Sequence, residues 1–276
     1  MDEILKAVVY GIIQGLTEFI PVSSTAHLRV IPALLGWNDV GAAYTAVIQI
    51  GTLIATLIYF KKDISSLIKG FLEALKNRDF LTNNNSRLFI LIIAGTIPIG
   101  ICGLLFKRFI EGGARGLYVI SAALILLAIV LFIAEKFGKK EKDFSHLTVK
   151  DGLIIGLAQA LALIPGSSRS GVTITAGLFR NLKRDVAARY SFLLSIPAIG
   201  LSGLYELYKE RDVLLNESFA SLIVATVVSG IVGYLSISFL INYLKTKTNF
   251  VFIIYRIILG VIILILLFTG VLQNMQ

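Results

Sequence analysis

Long apolar stretches, separated by short polar segments, dominate the chain. A helix that crosses the roughly 30 Å of hydrocarbon in a bilayer needs about 20 mostly apolar residues. Six stretches meet this length, and they are Ala43–Phe60, Leu88–Phe106, Leu117–Glu135, Val186–Tyr205, Phe219–Ile241 and Phe250–Gly270. The pattern therefore predicts an all-α, polytopic membrane protein.

Two further apolar stretches are interrupted by proline and polar residues. The first reads GIIQGLTEFIPVSSTAHL, from Gly11 to Leu28, and the second reads GLAQALALIPGSSRSGVT, from Gly156 to Thr173. Proline removes a backbone donor and disfavours helix at the residue before it. Irregular backbone at membrane depth persists only where protein or water satisfies it. Each stretch is therefore predicted to be a re-entrant helical hairpin that enters and leaves by the same face.

The two interrupted stretches resemble each other, about 145 residues apart. With a one-residue gap, the matching pairs are Gly11 with Gly156, Gln14 with Gln159, Pro21 with Pro165, and Ser23–Ser24 with Ser167–Ser168. Each copy precedes three predicted spans, so the second copy must enter the membrane from the opposite side. This predicts an inverted-topology repeat. Residues 1–276 then form a single integral membrane domain, with repeats at approximately 1–140 and 148–276.

Composition supports a membrane protein and the charges give its orientation. The chain is 56% hydrophobic and 16% charged, with a mean hydropathy of +0.84, which a soluble domain of 276 residues would not have. Its net charge of +9 comes from short Lys and Arg runs, which suit anionic lipid better than nucleic acid. With the N-terminus outside, 17 of these cations fall in inner loops and 7 in outer loops. Both termini are therefore predicted on the outer face.

The single cysteine excludes one class of chemistry. Cys102 lies within an apolar stretch, so the chain has neither a disulfide framework nor a cysteine-based metal site.

The first interrupted stretch carries an acid, an imidazole and hydroxyl groups. Gln14 and Glu18 are four residues apart and share one helical face. Glu18 can hold a divalent cation or accept a proton, whereas Gln14 offers only a carbonyl oxygen. His27 can attack phosphorus, or it can take a proton from Ser24 or from water. These side chains in an apolar segment predict a phosphate-handling site.

The second interrupted stretch combines glycines, hydroxyl residues and Arg169 at a helix break. Backbone N–H groups at a helix start favour anions, and a guanidinium matches phosphate oxygens. Across both stretches, the predicted substrate-binding residues are Ser23, Thr25, Gly166, Ser167, Ser168, Ser170 and Thr173. In the alternative interpretation, Arg169 is a structural partner of Glu18. Arg256, in the last span, is expected to be structural and to extend toward the membrane surface.

At these residues the sequence resembles the undecaprenyl-diphosphate phosphatase family, the bacitracin-resistance type. The family's first motif, Glu/Gln-Gly-x-x-Glu-Phe-x-Pro-x-Ser-Ser-Thr-x-His, is matched by residues 14–27, and its second, Pro-Gly-x-Ser-Arg-Ser-Gly, by residues 165–171. The resemblance covers essentially the whole chain. Two residues depart from common members: Gln14 stands where many have Glu, and Ala26 replaces a common Gly.

The resemblance implies hydrolysis of undecaprenyl diphosphate to undecaprenyl phosphate in the bacterial inner membrane, which recycles the lipid carrier of wall synthesis and gives bacitracin resistance. It also implies a divalent cation, Mg²⁺ or Ca²⁺, and a site that opens to the outer face. Glu18 would be the essential acid, Ser24 or His27 the nucleophile or base, and Arg169 the phosphate ligand. Glu18 and Gln14 are the candidate metal ligands.

Two other functions fit the predicted architecture. Inverted repeats with broken helices are typical of secondary transporters, so a transporter or flippase of a phosphorylated polyprenyl lipid is the main alternative. A structural scaffold is a weaker one, because a buried acid and a buried arginine are unfavourable without a function. The faces of small residues suit internal packing and a homodimer equally well.

Overall fold

A computed structural model describes residues 3–37, 40–106, 116–209 and 219–274, and this part of the chain contains helices and no β-strand. The helices are α1 Glu3–Phe19, α2 Ser24–Leu34, α3 Gly41–Tyr59, α4 Lys61–Asn77, α5 Asn84–Leu105, α6 Leu117–Phe137, α7 Val149–Gln159, α8 Arg169–Phe179, α9 Arg184–Lys209, α10 Phe219–Leu244 and α11 Phe250–Phe268. Short 3₁₀ turns occur at Phe144–His146 and Ala160–Leu163. The predicted all-α class is confirmed for the described residues.

Five of the six predicted spans form single helices that are long and apolar enough to cross a membrane, namely α5, α6, α9, α10 and α11. The sixth, predicted at Ala43–Phe60, forms α3, which meets the criterion only together with α4. The two helices meet at Phe60 and are bent by 73°. The bend explains the difference: α4 is strongly amphipathic, and its lysines lie on one face while Leu67, Gly70 and Ala74 are buried on the other.

Each interrupted stretch is a helix that breaks and restarts. In the first, α1 ends at Phe19 and α2 begins after the N-cap residue Ser23. In the second, α7 continues into a 3₁₀ turn, and α8 begins after the N-cap residue Ser168. Both caps have a positive φ, 75° at Ser23 and 67° at Ser168, and each side chain accepts a hydrogen bond from the N–H three residues later. The restarted helices α2 and α8 are both 11 residues long.

These caps correct the predicted alignment of the two stretches. Ser23 is equivalent to Ser168, not to Ser167, because each begins its helix with the same backbone conformation. The offset of 145 residues that relates Gly11 to Gly156 then holds across the break, and no gap is needed. The predicted gap arose because the two Pro-x-Ser-Ser sequences are shifted by one residue relative to the structurally equivalent positions.

The first helix of each interrupted stretch packs against a span from the other half of the chain. Helix α1 lies along α10, and α7 lies along α5. Glycines allow both contacts. A Cβ atom on Gly11 would lie 2.6 Å from the carbonyl oxygen of Ala225, and one on Gly156 would collide with the backbone of Gly95. The same packing arrangement therefore occurs twice, with the halves exchanged.

The α7–α5 contact can be tested with two glycines that differ only in their surroundings. Gly156→Ala is expected to lower the free energy of unfolding by about 1–3 kcal/mol, because the backbones must separate to admit the methyl group. Gly100→Ala, on α5, is the matched control, since a Cβ there meets no atom within 4 Å. The midpoint of thermal unfolding in one detergent measures both. Equal midpoints would contradict the close contact.

Ion pairs join the segments that carry the short Lys and Arg runs predicted to form inner loops. Buried Asp151, at the start of α7, accepts from Lys142 at 3.0 Å and from Arg180 at 2.6 Å. Glu135, at the end of α6, pairs with Arg184 at the start of α9. Four of the seven cations predicted for outer loops, Lys107, Arg108, Arg115 and Arg211, lie outside the described residues.

Candidate active site

The two interrupted stretches meet at the carboxylate of Glu18. Oxygen Oε1 accepts from Nη2 of Arg169 at 2.6 Å, across 151 positions of sequence. Oxygen Oε2 accepts from Nε2 of Gln14 and from Oγ of Ser24, both at 2.8 Å. The carboxylate therefore joins three other side chains through three hydrogen bonds.

This contact is almost completely buried. The side chain of Glu18 is 5% exposed and that of Arg169 is 12% exposed. An isolated charge at this depth would be very unfavourable, so each group requires the other. The ion pair itself is what the structural interpretation of Arg169 expects. However, Nη1 of Arg169 is buried and has no hydrogen-bond partner among the described residues, so the guanidinium keeps donors for a further anion.

The corrected register gives Ser24 and Arg169 equivalent places. Each is the first residue of its restarted helix, α2 or α8, and each donates to a different oxygen of Glu18. The first N–H groups of a helix have no partner within it, and the positive end of the helix dipole favours anions. Two helix starts therefore converge beside one hydroxyl and one guanidinium. The arrangement can hold a phosphate group and place its phosphorus near Ser24.

Most of the predicted substrate-binding residues shape the two breaks. The hydroxyls of Ser23 and Ser168 cap α2 and α8, and the half-buried Thr25 lies in the first turn of α2. Ser170 donates to the carbonyl of Ile20 at 3.4 Å, which links the two breaks.

Gly166 and Ser167 form the loop before the second cap. Gly166 has a φ of +91°, and a Cβ there would collide with the backbone of Ile120 at 2.5 Å, so only glycine suits this position. The hydroxyl of Ser167 is buried without a partner among the described residues.

Thr173 is bonded within α8 and to α9. Its hydroxyl donates to the carbonyl of Arg169 at 2.8 Å and lies 2.6 Å from the hydroxyl of Ser191 on α9. In this structure it fastens α8 to α9.

His27 is bonded to groups other than Ser24. Its Nδ1 lies 2.7 Å from the carbonyl oxygen of Ser23, and its Nε2 lies 2.6 Å from the hydroxyl of Tyr255. Ser24 donates to Glu18 instead. Sequence reasoning missed Tyr255, because a tyrosine in an apolar span has no signature of its own and lies 228 residues from its partner.

Arg256 corrects an expectation. It does not extend to the membrane surface but is fully buried, with 0% exposure. Its Nη2 donates to the carbonyls of Ser167 at 2.9 Å and of Gly166 and Ala123, each at 3.4 Å. Among the described residues it forms no ion pair with a carboxylate. The loop before α8 turns its carbonyls toward Arg256, so the cation finds its partners inside the protein.

A divalent cation fits the residues beside Glu18. Mg²⁺ prefers oxygen ligands and often takes only one or two carboxylates from the protein, with substrate phosphates and water completing its shell. Glu18 provides one carboxylate, and the buried Oε1 of Gln14 has no hydrogen-bond partner in the described part of the chain. Within that part, no group of three His, Cys, Asp or Glu side chains could hold a metal by itself.

The fold and the site define a helical membrane protein whose buried acid–arginine–hydroxyl centre lies between two broken helices. A family description, Bacitracin resistance protein BacA, matches residues 7–262. The chain belongs to this family.

Relatives resemble the chain over nearly its full length. A protein of Chlorobium limicola is 54% identical, covering 98% of both chains, and one of Prosthecochloris aestuarii is 55% identical, covering 98% of this chain and 99% of its own. One of Myxococcus xanthus is 50% identical, covering 99% of this chain and 92% of its own. All three are named undecaprenyl-diphosphatase.

Proposed function

We propose that this protein hydrolyses undecaprenyl diphosphate to undecaprenyl phosphate and inorganic phosphate in the bacterial cell membrane. This reaction recycles the lipid carrier of wall synthesis and opposes bacitracin. The observation that carries the proposal is the carboxylate of Glu18, which holds the Ser24 hydroxyl and the Arg169 guanidinium within hydrogen-bond distance, from two helix breaks. The family and the names of its members agree with it.

The architecture that delivers this centre is an inverted-topology repeat of re-entrant hairpins, each followed by three spans. The constant offset of 145 residues and the matched caps at Ser23 and Ser168 support this architecture. So do the two exchanged contacts, α1 with α10 and α7 with α5. In such a repeat the two breaks meet near the midplane.

The inner loops, rich in Lys and Arg, face the cytoplasm, and both termini and the mouth of the site face outward. The ion pairs of Asp151, Glu135 and Asp63 support this orientation, because they join segments from several cation-rich loops at one end of the molecule. The polyprenyl tail of the substrate stays in the bilayer, while its diphosphate reaches the centre from the outer side.

In the proposed reaction, Ser24 attacks the terminal phosphorus. The new bond joins Oγ to phosphorus, the bond from phosphorus to the bridging oxygen breaks, and undecaprenyl phosphate leaves. Glu18 is the nearest base, since it already accepts the Ser24 hydrogen. Water then hydrolyses the phosphoserine, with Nε2 of His27 as the base that takes its proton. The alternatives are attack by His27 or by water that His27 activates; both need His27 Nε2 to leave Tyr255.

Arg169 and the N–H groups at the starts of α2 and α8 stabilise the charge that develops on the phosphoryl oxygens. Positioning and charge stabilisation supply most of the catalysis in phosphoryl transfer. Glu18 and Gln14 would hold the Mg²⁺ or Ca²⁺ ion. A divalent cation would neutralise diphosphate charge when bound.

Phosphate release by purified protein in detergent tests the function, because a detergent micelle has no two sides to transport between. We expect Mg²⁺- or Ca²⁺-dependent turnover by the parent protein. We expect at least about a hundredfold less from Glu18→Gln, which lacks the charge that Arg169 and the reaction need. Absence of turnover by the parent protein, together with movement of the lipid between leaflets of vesicles, would favour the flippase alternative.

A further inference from the structure

The tyrosine of the last span is bonded directly to the candidate site. Tyr255, on α11, places its hydroxyl 2.6 Å from Nε2 of His27. The two ring planes are parallel to within 4°, and their centroids are separated by 5.6 Å. The tyrosine therefore contacts this imidazole through its hydroxyl, with the two rings side by side in nearly parallel planes.

The hydrogen bonds determine where the protons of this pair lie. The carbonyl of Ser23 can only accept, so Nδ1 of His27, 2.7 Å away, carries a hydrogen. In the neutral imidazole, Nε2 is then unprotonated and accepts from the hydroxyl of Tyr255. Both ring nitrogens are engaged, and only the bond to Tyr255 can be exchanged without changing the backbone of α2.

The neighbouring residue fixes the helix that presents Tyr255. Arg256 is fully buried and donates to the carbonyls of Ser167 and Gly166 in the second break. Successive residues of a helix point in directions about 100° apart. Tyr255 therefore reaches the first break, through His27, while Arg256 reaches the second. Tyr255 is therefore held in place relative to both halves of the site.

We propose that Tyr255 is a positioning residue of the phosphatase site. It holds the His27 imidazole in one orientation and occupies Nε2 until a substrate oxygen or water takes the place of its hydroxyl. His27 lies three residues after Ser24, about one turn along α2, so a ring held in this way stays beside the helix start that faces the phosphate. This inference rests on the proposed phosphatase function.

A double-mutant cycle separates positioning from simple packing. Tyr255→Phe keeps the aromatic ring and removes only the hydroxyl. We expect kcat to fall about tenfold with KM within about twofold, the effect of one lost hydrogen bond. In a His27→Ala protein, the same change is expected to have no further effect, because Tyr255 acts through His27. Tyr234→Phe, a similarly exposed tyrosine on α10, is the matched control and should not change kcat.

The hydrogen bond can also be observed without turnover. The chain has 2 histidines, so His146→Gln leaves His27 as the only one. In ¹⁵N-histidine spectra of this variant, we expect one protonated ring nitrogen and one unprotonated nitrogen that accepts a hydrogen bond. Tyr255→Phe should move the unprotonated nitrogen to higher frequency and leave the protonated one in place.

The outcomes distinguish this inference from the function on which it rests. An unchanged ¹⁵N frequency in Tyr255→Phe would overturn the positioning role. A fall of about tenfold in kcat when Tyr255→Phe is added to the His27→Ala protein would overturn it as well. Full turnover by Tyr255→Phe would also overturn it, yet leave the phosphatase function intact. Absence of turnover by the parent protein would overturn both.

Discussion

Replacement of Arg169 by methionine is expected to reduce kcat/KM for undecaprenyl diphosphate by at least about a thousandfold. Methionine fills similar space but removes the donors that would meet the phosphoryl oxygens. It also leaves the carboxylate of Glu18, only 5% exposed, without its cation. Arg169→Lys keeps the charge but loses the planar fork, and about a hundredfold reduction is expected.

A double variant decides between catalysis and structure for Arg169. If the guanidinium serves only to neutralise Glu18, then Glu18→Gln should restore the thermal stability that Arg169→Met loses. If it also binds substrate, the double variant regains stability but turns over substrate more slowly than Glu18→Gln alone, whereas a purely neutralising role predicts equal turnover by the two.

Arg184→Lys is the control for this comparison. Arg184, at the start of α9, pairs with Glu135, at the end of α6. Neither residue belongs to the candidate site, so normal turnover is expected. Near-normal turnover by Arg169→Met would contradict the phosphate-binding role.

The meeting of Glu18 and Arg169 could be predicted from sequence because both follow from the repeat. In the proposed inverted repeat, two related broken helices bring their breaks together, and an acid and a cation in hydrocarbon require each other. The predicted spans follow in the same way from uninterrupted apolar length. The Glu18–Arg169 contact and the spans depend only on which residue types occur where, and this can be read directly from the sequence.

The register of the repeat could not be read from residue letters. Matching letters placed Pro21 opposite Pro165, whereas the caps at Ser23 and Ser168 require an offset of 145 residues throughout. A cap is a property of backbone conformation, and a serine at positive φ is uncommon enough that a sequence gives no reason to expect it. Only the structure reveals that Ser24 and Arg169 are equivalent.

The partners of Arg256 and Tyr255 were beyond sequence reasoning for a different reason. Nη2 of Arg256 donates to carbonyl oxygens, and a backbone carbonyl has no signature in the sequence. Tyr255 meets His27 only because α11 lies against both breaks. An arginine in a predicted span therefore need not extend to the membrane surface when the sequence shows no acidic partner for it. The backbone of an interrupted helix can serve as its partner instead.

Replacement of Ser24 by alanine is expected to lower turnover by at least about a thousandfold and to abolish the covalent intermediate. Its hydroxyl is bonded to Glu18 at 2.8 Å, whereas the ring nitrogens of His27 are bonded to Ser23 and Tyr255. The structure thus shows a hydroxyl bonded to a carboxylate and an imidazole whose two ring nitrogens both have partners. Ser66→Ala, in an exposed position on α4, is the control and should leave turnover unchanged.

Rapid quenching with substrate labelled in its terminal phosphate identifies the nucleophile chemically. Phosphoserine survives acid and is lost in base, whereas phosphohistidine behaves in the opposite way. We expect an acid-stable label that disappears in Ser24→Ala and persists in Ser66→Ala. An acid-labile label that requires His27 would transfer the nucleophilic role to the imidazole. Ser24→Ala would then lose a hydrogen bond to Glu18 rather than its reacting atom, so its turnover should fall by only about tenfold.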